Sequence, residues 1–105
     1  MRALVALLGL ILISIAVQPV TAVKFSIYVY DADSNQVVQN AFVRVWQDNN
    51  LLDSGNTDRD GVFVTYLNDG NKYHIKAEYS NKWAEIFDYY ANSANNDRIN
   101  LYLHT

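Results

Sequence analysis

Oxygen-bearing side chains at alternate positions are the first residues in this chain whose types and spacing suggest chemistry. Asp31, Asp33 and Asn35 have the spacing that opens a calcium-binding loop. A helix–loop–helix calcium site also requires glycine at the sixth position and a bidentate glutamate at the twelfth. Gln36 and Phe42 occupy those positions here. We therefore expect the aspartates to cap a turn through backbone hydrogen bonds, and we predict neither a metal site nor a cofactor.

A second acidic turn runs from Asp58 to Gly61 and includes Asp60. We interpret its aspartates in the same way, because aspartate commonly accepts hydrogen bonds from the backbone of its own turn. One alternative stays open. A folded domain could bring the turns at Asp31/Asp33 and Asp58/Asp60 to one end and bind calcium weakly there.

The other titratable side chains do not form a recognisable catalytic set. His74 and His104 lie far apart in the sequence, without an acidic partner at ligand spacing, and the chain has no cysteine. Glu78, Glu85 and Asp88 could pair as acid and base for glycoside hydrolysis, but a domain this small offers little cleft for a sugar ring. We expect no catalytic residues and no enzymatic activity.

Aromatic residues at outward-facing strand positions are more informative. Contiguous exposed aromatic side chains mark interaction surfaces. The alternative is that strict alternation fails at a bulge, so that some of these rings belong to small secondary cores. The predicted interface residues are Tyr28, Tyr30, Phe42, Trp46 and Tyr102.

Seven strands with period-two alternation are predicted to position these residues. Acidic and asparagine-rich turns separate them, and their spacing of roughly 8–12 residues is typical of a sandwich. The fold class is therefore all-β, a small seven-stranded two-sheet sandwich preceded by an N-terminal apolar helix. The predicted strands are Val23–Tyr30, Ala41–Gln47, Leu51–Asn56, Val62–Leu67, Tyr73–Tyr79, Trp83–Tyr90 and Arg98–His104.

The same alternation predicts which side chains form the core. Apolar residues at every second position should face inward, because successive side chains of a strand point to opposite sides of the sheet. The predicted core residues are Phe25, Ile27, Val29, Val43, Val45, Ile75, Ile99 and Leu101.

The N-terminus has the pattern of a secretory signal peptide. Met1-Arg2 supplies the positive start, Ala3–Val17 is apolar, and small or β-branched residues close the segment at Ala22. We predict a signal peptide over residues 1–22 and a β-sandwich domain over residues 23–105. A retained membrane helix is the alternative, although the apolar run falls short of the roughly 20 residues needed to span a bilayer.

Composition limits the partners. The formal net charge is −3, which argues against nucleic acid, and a membrane is a partner only if the N-terminal helix is retained. Small secreted domains often rely on disulfides, but this chain has no cysteine. Its stability must come from packing, from assembly with other copies, or from both.

Several segments together give the chain a family resemblance. It resembles the prealbumin-like sandwiches, which comprise carboxypeptidase regulatory-like and transthyretin-like domains, with collagen-adhesin B-type repeats as cousins. The resemblance implies an Ig-like or prealbumin-like fold and says little about function. The residues that carry it are a strand ending in Asp31, then Asn40–Val45, Thr57–Phe63, Gly70 and Tyr73–Ala77.

Two departures from that resemblance matter. Asn40 stands where such domains often have glycine, and asparagine tolerates the left-handed conformation. The cousins often carry an isopeptide cross-link, but Val29 and Ala77 occupy the positions of its lysine and glutamate. We therefore expect no internal isopeptide bond.

The resulting functional expectation is a secreted or cell-surface, non-enzymatic module for protein interaction, adhesion or extracellular assembly. Its partners would be other copies of itself or other surface proteins, bound through the aromatic face and through Val23–Tyr30 and Arg98–His104 as sheet edges. The alternative is a carbohydrate-binding module that stacks glycans on Trp46 and nearby tyrosines. A hydrolase or an enzyme accessory domain ranks last.

Overall fold

Seven strands form two sheets in the computed structural model, which describes residues 21–105. The strands are β1 (Val23–Asp31), β2 (Phe42–Gln47), β3 (Asn50–Asn56), β4 (Val62–Leu67), β5 (Lys72–Tyr79), β6 (Lys82–Tyr90) and β7 (Arg98–Leu103). This confirms the predicted two-sheet, all-β sandwich, and the arrangement is compatible with an Ig-like fold.

The predicted N-terminal leader lies outside the described residues, apart from Thr21 and Ala22. Its helix and its removal therefore stay predictions. From residue 21 onward, no helix is long and apolar enough to cross a membrane.

Strand pairing corrects one expectation. The first sheet has the order β4-β1-β7, in which β1 pairs antiparallel with β4 and parallel with β7. The second has the order β3-β2-β5-β6 and is antiparallel throughout. The prediction that both terminal strands lie at sheet edges is wrong for β1, whose backbone is paired on both sides. It is right for β7.

The core lies between the two sheets and matches the predicted alternation. Each of the eight predicted core residues is at most 3% exposed. The core also has buried members near the ends of strands that the predicted list did not include, among them Leu67, Tyr73 and Leu103. Two buried threonines, Thr57 and Thr65, also belong to this interior.

The β2–β3 hairpin has a tight two-residue turn. Gln47 pairs with Asn50, and the two residues between them, Asp48 and Asn49, have positive φ angles of 50° and 68°. Positive φ angles at both central residues define a type I′ turn, whose twist matches that of the flanking antiparallel strands. Asparagine and aspartate tolerate these angles. Asn40 is likewise left-handed, with a φ of 65°.

Candidate interaction surfaces

The structure places the five predicted interface residues on the outer faces of the two sheets. Tyr28, Tyr30 and Tyr102 lie on β1 and β7 of the first sheet, whereas Phe42 and Trp46 lie on β2 of the second. The residues therefore form two separate groups on opposite sides of the sandwich. Alternation along a strand reveals which side chains face outward, but it does not reveal which sheet the strand joins.

The first group is a stack that we call the tyrosine face: Tyr28, Tyr30 and Tyr102. The Tyr30 and Tyr102 rings are cross-strand neighbours, with centroids 5.1 Å apart and planes 19° apart. Tyr28 continues the stack, with its centroid 6.5 Å from that of Tyr30. Adjacent stacked rings limit one another's rotamers, so this surface loses little side-chain freedom when it binds.

Arg98 fixes the tyrosine face from β7. Its guanidinium carbon lies 3.6 Å from the centroid of the Tyr28 ring, a cation–π contact. The same guanidinium donates a hydrogen bond to the Tyr30 hydroxyl, and Nε donates to Asn100 Oδ1 at 3.0 Å. Tyrosine and arginine are enriched among residues that dominate binding energy at interfaces. This face therefore has the composition of a protein-binding surface.

The second group belongs to an aromatic ladder across β2, β5 and β6. The His74 ring stacks between Trp46 and Phe87, with centroid distances of 4.7 Å and 4.9 Å. The Arg44 guanidinium also lies over the Trp46 ring, 5.1 Å from its centroid. The Trp46 ring is therefore already occupied by intramolecular contacts with His74 and Arg44. That weakens the hypothesis that it serves as an open platform for sugar stacking.

A shallow pocket of about 410 Å³ lies beside this ladder, at the end of the sandwich that carries the β2–β3 hairpin. His74 Nε2 lies 2.6 Å from Glu85 Oε2, and Lys72 Nζ lies 3.7 Å from Asp88 Oδ1. The pocket combines ring edges with a polar rim. Its lining residues are Trp46, Asp48, Asn49, Lys72, Tyr73, His74, Phe87 and Asp88.

One aspartate in each acidic turn acts as a turn cap, Asp58 in one turn and Asp31 in the other. Asp58 Oδ1 accepts hydrogen bonds from the backbone N–H groups of Asp60 (2.9 Å) and Val62 (3.0 Å). Asp31 Oδ1 accepts from the N–H of Asp33 at 2.8 Å. Within residues 21–105, no three histidine or acidic side chains converge as a metal site would require.

Lys82 ties the Asp31 turn to the β5–β6 turn. Its ammonium donates to Asp31 Oδ2 at 2.7 Å and to Asp33 Oδ2 at 3.1 Å. The hydrogen bond from Lys82 contributes most to lowering the pKa of Asp31, and the hydrogen bond from the Asp33 backbone N–H contributes next. The hydrogen bonds to Asp31 and then Asp33 raise the pKa of Lys82. Both groups are therefore held in their charged forms as an ion pair.

We expect this ion pair to make stability depend on pH at both extremes. The lowered pKa of Asp31 stabilises the fold above the ordinary aspartate pKa, and this contribution is lost as pH falls through the folded value. The raised pKa of Lys82 stabilises the fold below the ordinary lysine pKa, and this contribution is lost as pH rises through the folded value. The melting temperature should therefore fall less steeply with decreasing pH in the aspartate range for Lys82→Gln than for wild type.

The control for that measurement is Lys24→Gln, which removes one exposed lysine charge from β1. Its melting temperature should fall with decreasing pH as steeply as that of the wild type. Wild-type and Lys82→Gln curves that stay parallel as pH falls through the aspartate range would show that the pair contributes nothing.

The places of Phe87, Asp88 and Arg98 in these surfaces were not predicted from the sequence. Phe87 and Asp88 both lie opposite His74, because the β5–β6 register shifts between Tyr73 and Ile75. A bulge of this kind leaves no mark in simple alternation. Arg98 was predicted only as the first residue of the last strand, although it holds the tyrosine face together.

Among known proteins, no family model and no curated sequence matches this chain.

Proposed function

We propose that this chain is a secreted or cell-surface, non-enzymatic β-sandwich module that works by association with protein partners, in adhesion or extracellular assembly. The observation that carries the proposal is the position of the tyrosine face. Tyr102 is 47% exposed and lies on β7, an edge strand of its sheet. A partner strand added at that edge would meet aromatic anchors and unpaired backbone groups together.

Secretion is supported by the leader-like pattern of residues 1–22. A small domain without disulfides gains stability when it buries further surface against a partner. A non-enzymatic role is supported by how the acidic and histidine side chains are used. Asp31 and Asp58 cap turns, and His74 is stacked between two rings.

A prealbumin-like type of sandwich is part of the same proposal. It is supported by where the residues that carry the resemblance lie in the fold. Asp31 ends β1, Gly61 directly precedes β4, and Tyr73–Ala77 lies within β5. The short motifs therefore fall at strand ends and turns, where a fold places its structural requirements.

The tyrosine-face variant Tyr102→Ser should weaken self-association of the purified secreted protein. Its ring is a half-exposed edge anchor, and losing such an anchor typically costs about 2 kcal/mol or more of binding free energy. That loss corresponds to a weakening of roughly thirty-fold. Light scattering over a concentration series measures it.

The matched control is Phe87→Ser, which removes an aromatic ring that is 67% exposed on the opposite sheet. It should leave association unchanged. A wild-type protein that stays monomeric at high concentration, and binds no other surface protein, would contradict the proposal.

The pocket beside the aromatic ladder favours a second candidate, glycan binding. Its volume of about 410 Å³ falls within the usual range of about 300–1,000 Å³ for small-molecule sites. The stacked arrangement of Trp46 argues against this candidate, because His74 and Arg44 already lie against its ring. A monomeric protein retained on immobilised polysaccharide, with retention lost in Phe87→Ser, would make it the better assignment.

A further inference from the structure

We propose that the partner at β7 is a second copy of this chain, paired antiparallel, β7 to β7, about a two-fold axis between the two Asn100 residues. This inference rests on the proposed function and specifies its interface. It would join the two β4-β1-β7 sheets into one six-stranded sheet. Because the contact is isologous, it closes on itself and gives a dimer rather than a growing filament.

The four edge strands that the structure describes differ in how well they are protected against pairing. The β3 edge is interrupted by a bulge, since Val45 pairs with Asp53 but Trp46 pairs with Leu51. The β6 edge has a register shift of its own and carries Lys82, Glu85 and Asp88. Bulges and charges are the usual protections against edge-to-edge pairing.

The remaining two edges differ from each other. β4 is flanked by β3, and Thr65 Oγ1 donates a hydrogen bond to Asp53 Oδ2 at 2.8 Å. β7 keeps an unbroken register with β1 from Arg98 to Leu103, and Arg98 is its one charged residue. It also has no proline. β4 also keeps an unbroken register with β1 and carries no charged residue. Among the described strands, the two edges of this sheet are therefore the least protected, and β7 is the one that carries Arg98 and Tyr102 of the tyrosine face.

β7 also has a continuous stretch of backbone that faces away from β1. The carbonyls of Asp97 and Leu103 accept hydrogen bonds from β1 and from the residue that follows it. Because the backbone groups of a strand alternate between its two sides, those of Arg98, Asn100 and Tyr102 point away from β1.

Beyond Tyr102, backbone groups on this edge already have hydrogen-bond partners. The N–H and carbonyl of His104 form two 3.0 Å hydrogen bonds with Trp83 of β6. At the other end, the Arg98 N–H donates to Asn96 Oδ1 at 3.0 Å. The free stretch therefore runs from the Arg98 carbonyl to Tyr102 and has Asn100 near its centre. An antiparallel pair of identical stretches aligns best when their centres coincide.

The side chains that face each other across the interface also favour the antiparallel register. In the antiparallel register centred on Asn100, Arg98 of each copy lies opposite Tyr102 of the other. Cation–π contact favours that pairing. A parallel, in-register arrangement would instead put the two Arg98 side chains side by side, which is destabilising. A slip of one residue would place Asn100 opposite Leu101 of the other copy, whose backbone groups point toward its own β1, so the ladder between the copies could not form in that register.

Single-cysteine variants test this register cleanly, because the chain has no cysteine of its own. Directly opposed residues of an antiparallel pair have Cα atoms about 4.5–5.5 Å apart, which a disulfide can bridge. Asn100→Cys should therefore become a disulfide-linked dimer under mild oxidation of the purified secreted protein. Mass measurement without reductant detects it.

Two further variants determine the strand direction. Arg98→Cys alone and Tyr102→Cys alone should stay uncross-linked, because in each case the two sulfur-bearing residues would lie roughly 13 Å apart along the strand. An equimolar mixture of these two variants should cross-link. Cross-linking of Arg98→Cys alone would indicate parallel pairing and overturn the proposal.

A separate mixture tests the alternative of open-ended growth. Val64→Cys lies on the outer face of β4, the other edge of the same sheet. Cross-linking of Val64→Cys with Asn100→Cys, together with growth of the wild type into polymers, would indicate β7–β4 contacts and overturn the two-fold interface. A wild type that associates without any of these cross-links would overturn the interface and leave the proposed function standing, whereas a strictly monomeric wild type would contradict both.

Discussion

Replacing Phe25 with alanine should lower the free energy of unfolding by about 3–5 kcal/mol, the usual cost of removing a buried phenylalanine. Phe25 has no exposed surface and lies on β1, the central strand of its sheet. Its ring also contacts Tyr89 edge to face, with centroids 6.3 Å apart. The change removes all of these contacts and leaves a cavity between the sheets. Equilibrium denaturation with urea measures the loss.

The loss is large because a domain of this kind has about 5–15 kcal/mol of stability in total. Phe87→Ala provides a chemically identical control, since Phe87 is 67% exposed on the outer face of β6. It should cost no more than about 1.5 kcal/mol, because the change removes only the stacking of Phe87 on the His74 ring. Equal losses for the two variants would show that β1 does not have its alternate residues in the core.

Sequence alternation predicted this core well because the rule that places Phe25 is local. Neighbouring side chains of a strand point to opposite sides of the sheet, so Phe25, Ile27 and Val29 must share a face whatever their strand pairs with. All three have no exposed surface. The same rule predicted that Tyr28 and Tyr30 face outward.

The choice of partner strands is not local, and that is where prediction failed. The parallel pairing of β1 with β7 joins residues about 70 positions apart in the sequence, such as Ile27 and Ile99. Nothing in either strand's pattern specifies that neighbour. The prediction of β1 as an edge strand was wrong for this reason. The separation of Tyr102 from Trp46 onto different sheets was missed for the same reason.

Gly61→Ala should be the most damaging single change in a turn, with a loss of about 2–4 kcal/mol. Gly61 has a φ of 77°, a conformation in which a side chain costs about 1 kcal/mol. A Cβ at this position would also lie 2.8 Å from Val37 Cβ and 3.0 Å from the Val29 carbonyl oxygen. Crowding of this kind typically costs a further 1–3 kcal/mol or so.

Gly70→Ala separates these two effects. Gly70 also has a left-handed conformation, with a φ of 88°, but a Cβ there would meet nothing within 4 Å. It should therefore show the conformational cost alone, about 1 kcal/mol. The difference between the two variants, measured by urea denaturation, reports how tightly the Asp58–Gly61 turn is packed.

That packing explains why the acidic turn has a structural role. Thr57, directly before the turn, donates a hydrogen bond from Oγ1 to the Val38 carbonyl and accepts one from the Ala41 N–H. Val38 in turn donates its N–H to the Val29 carbonyl at 2.9 Å. The turn, the Val37–Val38 segment and the end of β1 thus form one connected unit that closes this end of the sandwich. Equal losses for Gly61→Ala and Gly70→Ala would mean that this unit is loose in solution, and the Asp58 and Asp60 side chains would then be free to take other roles.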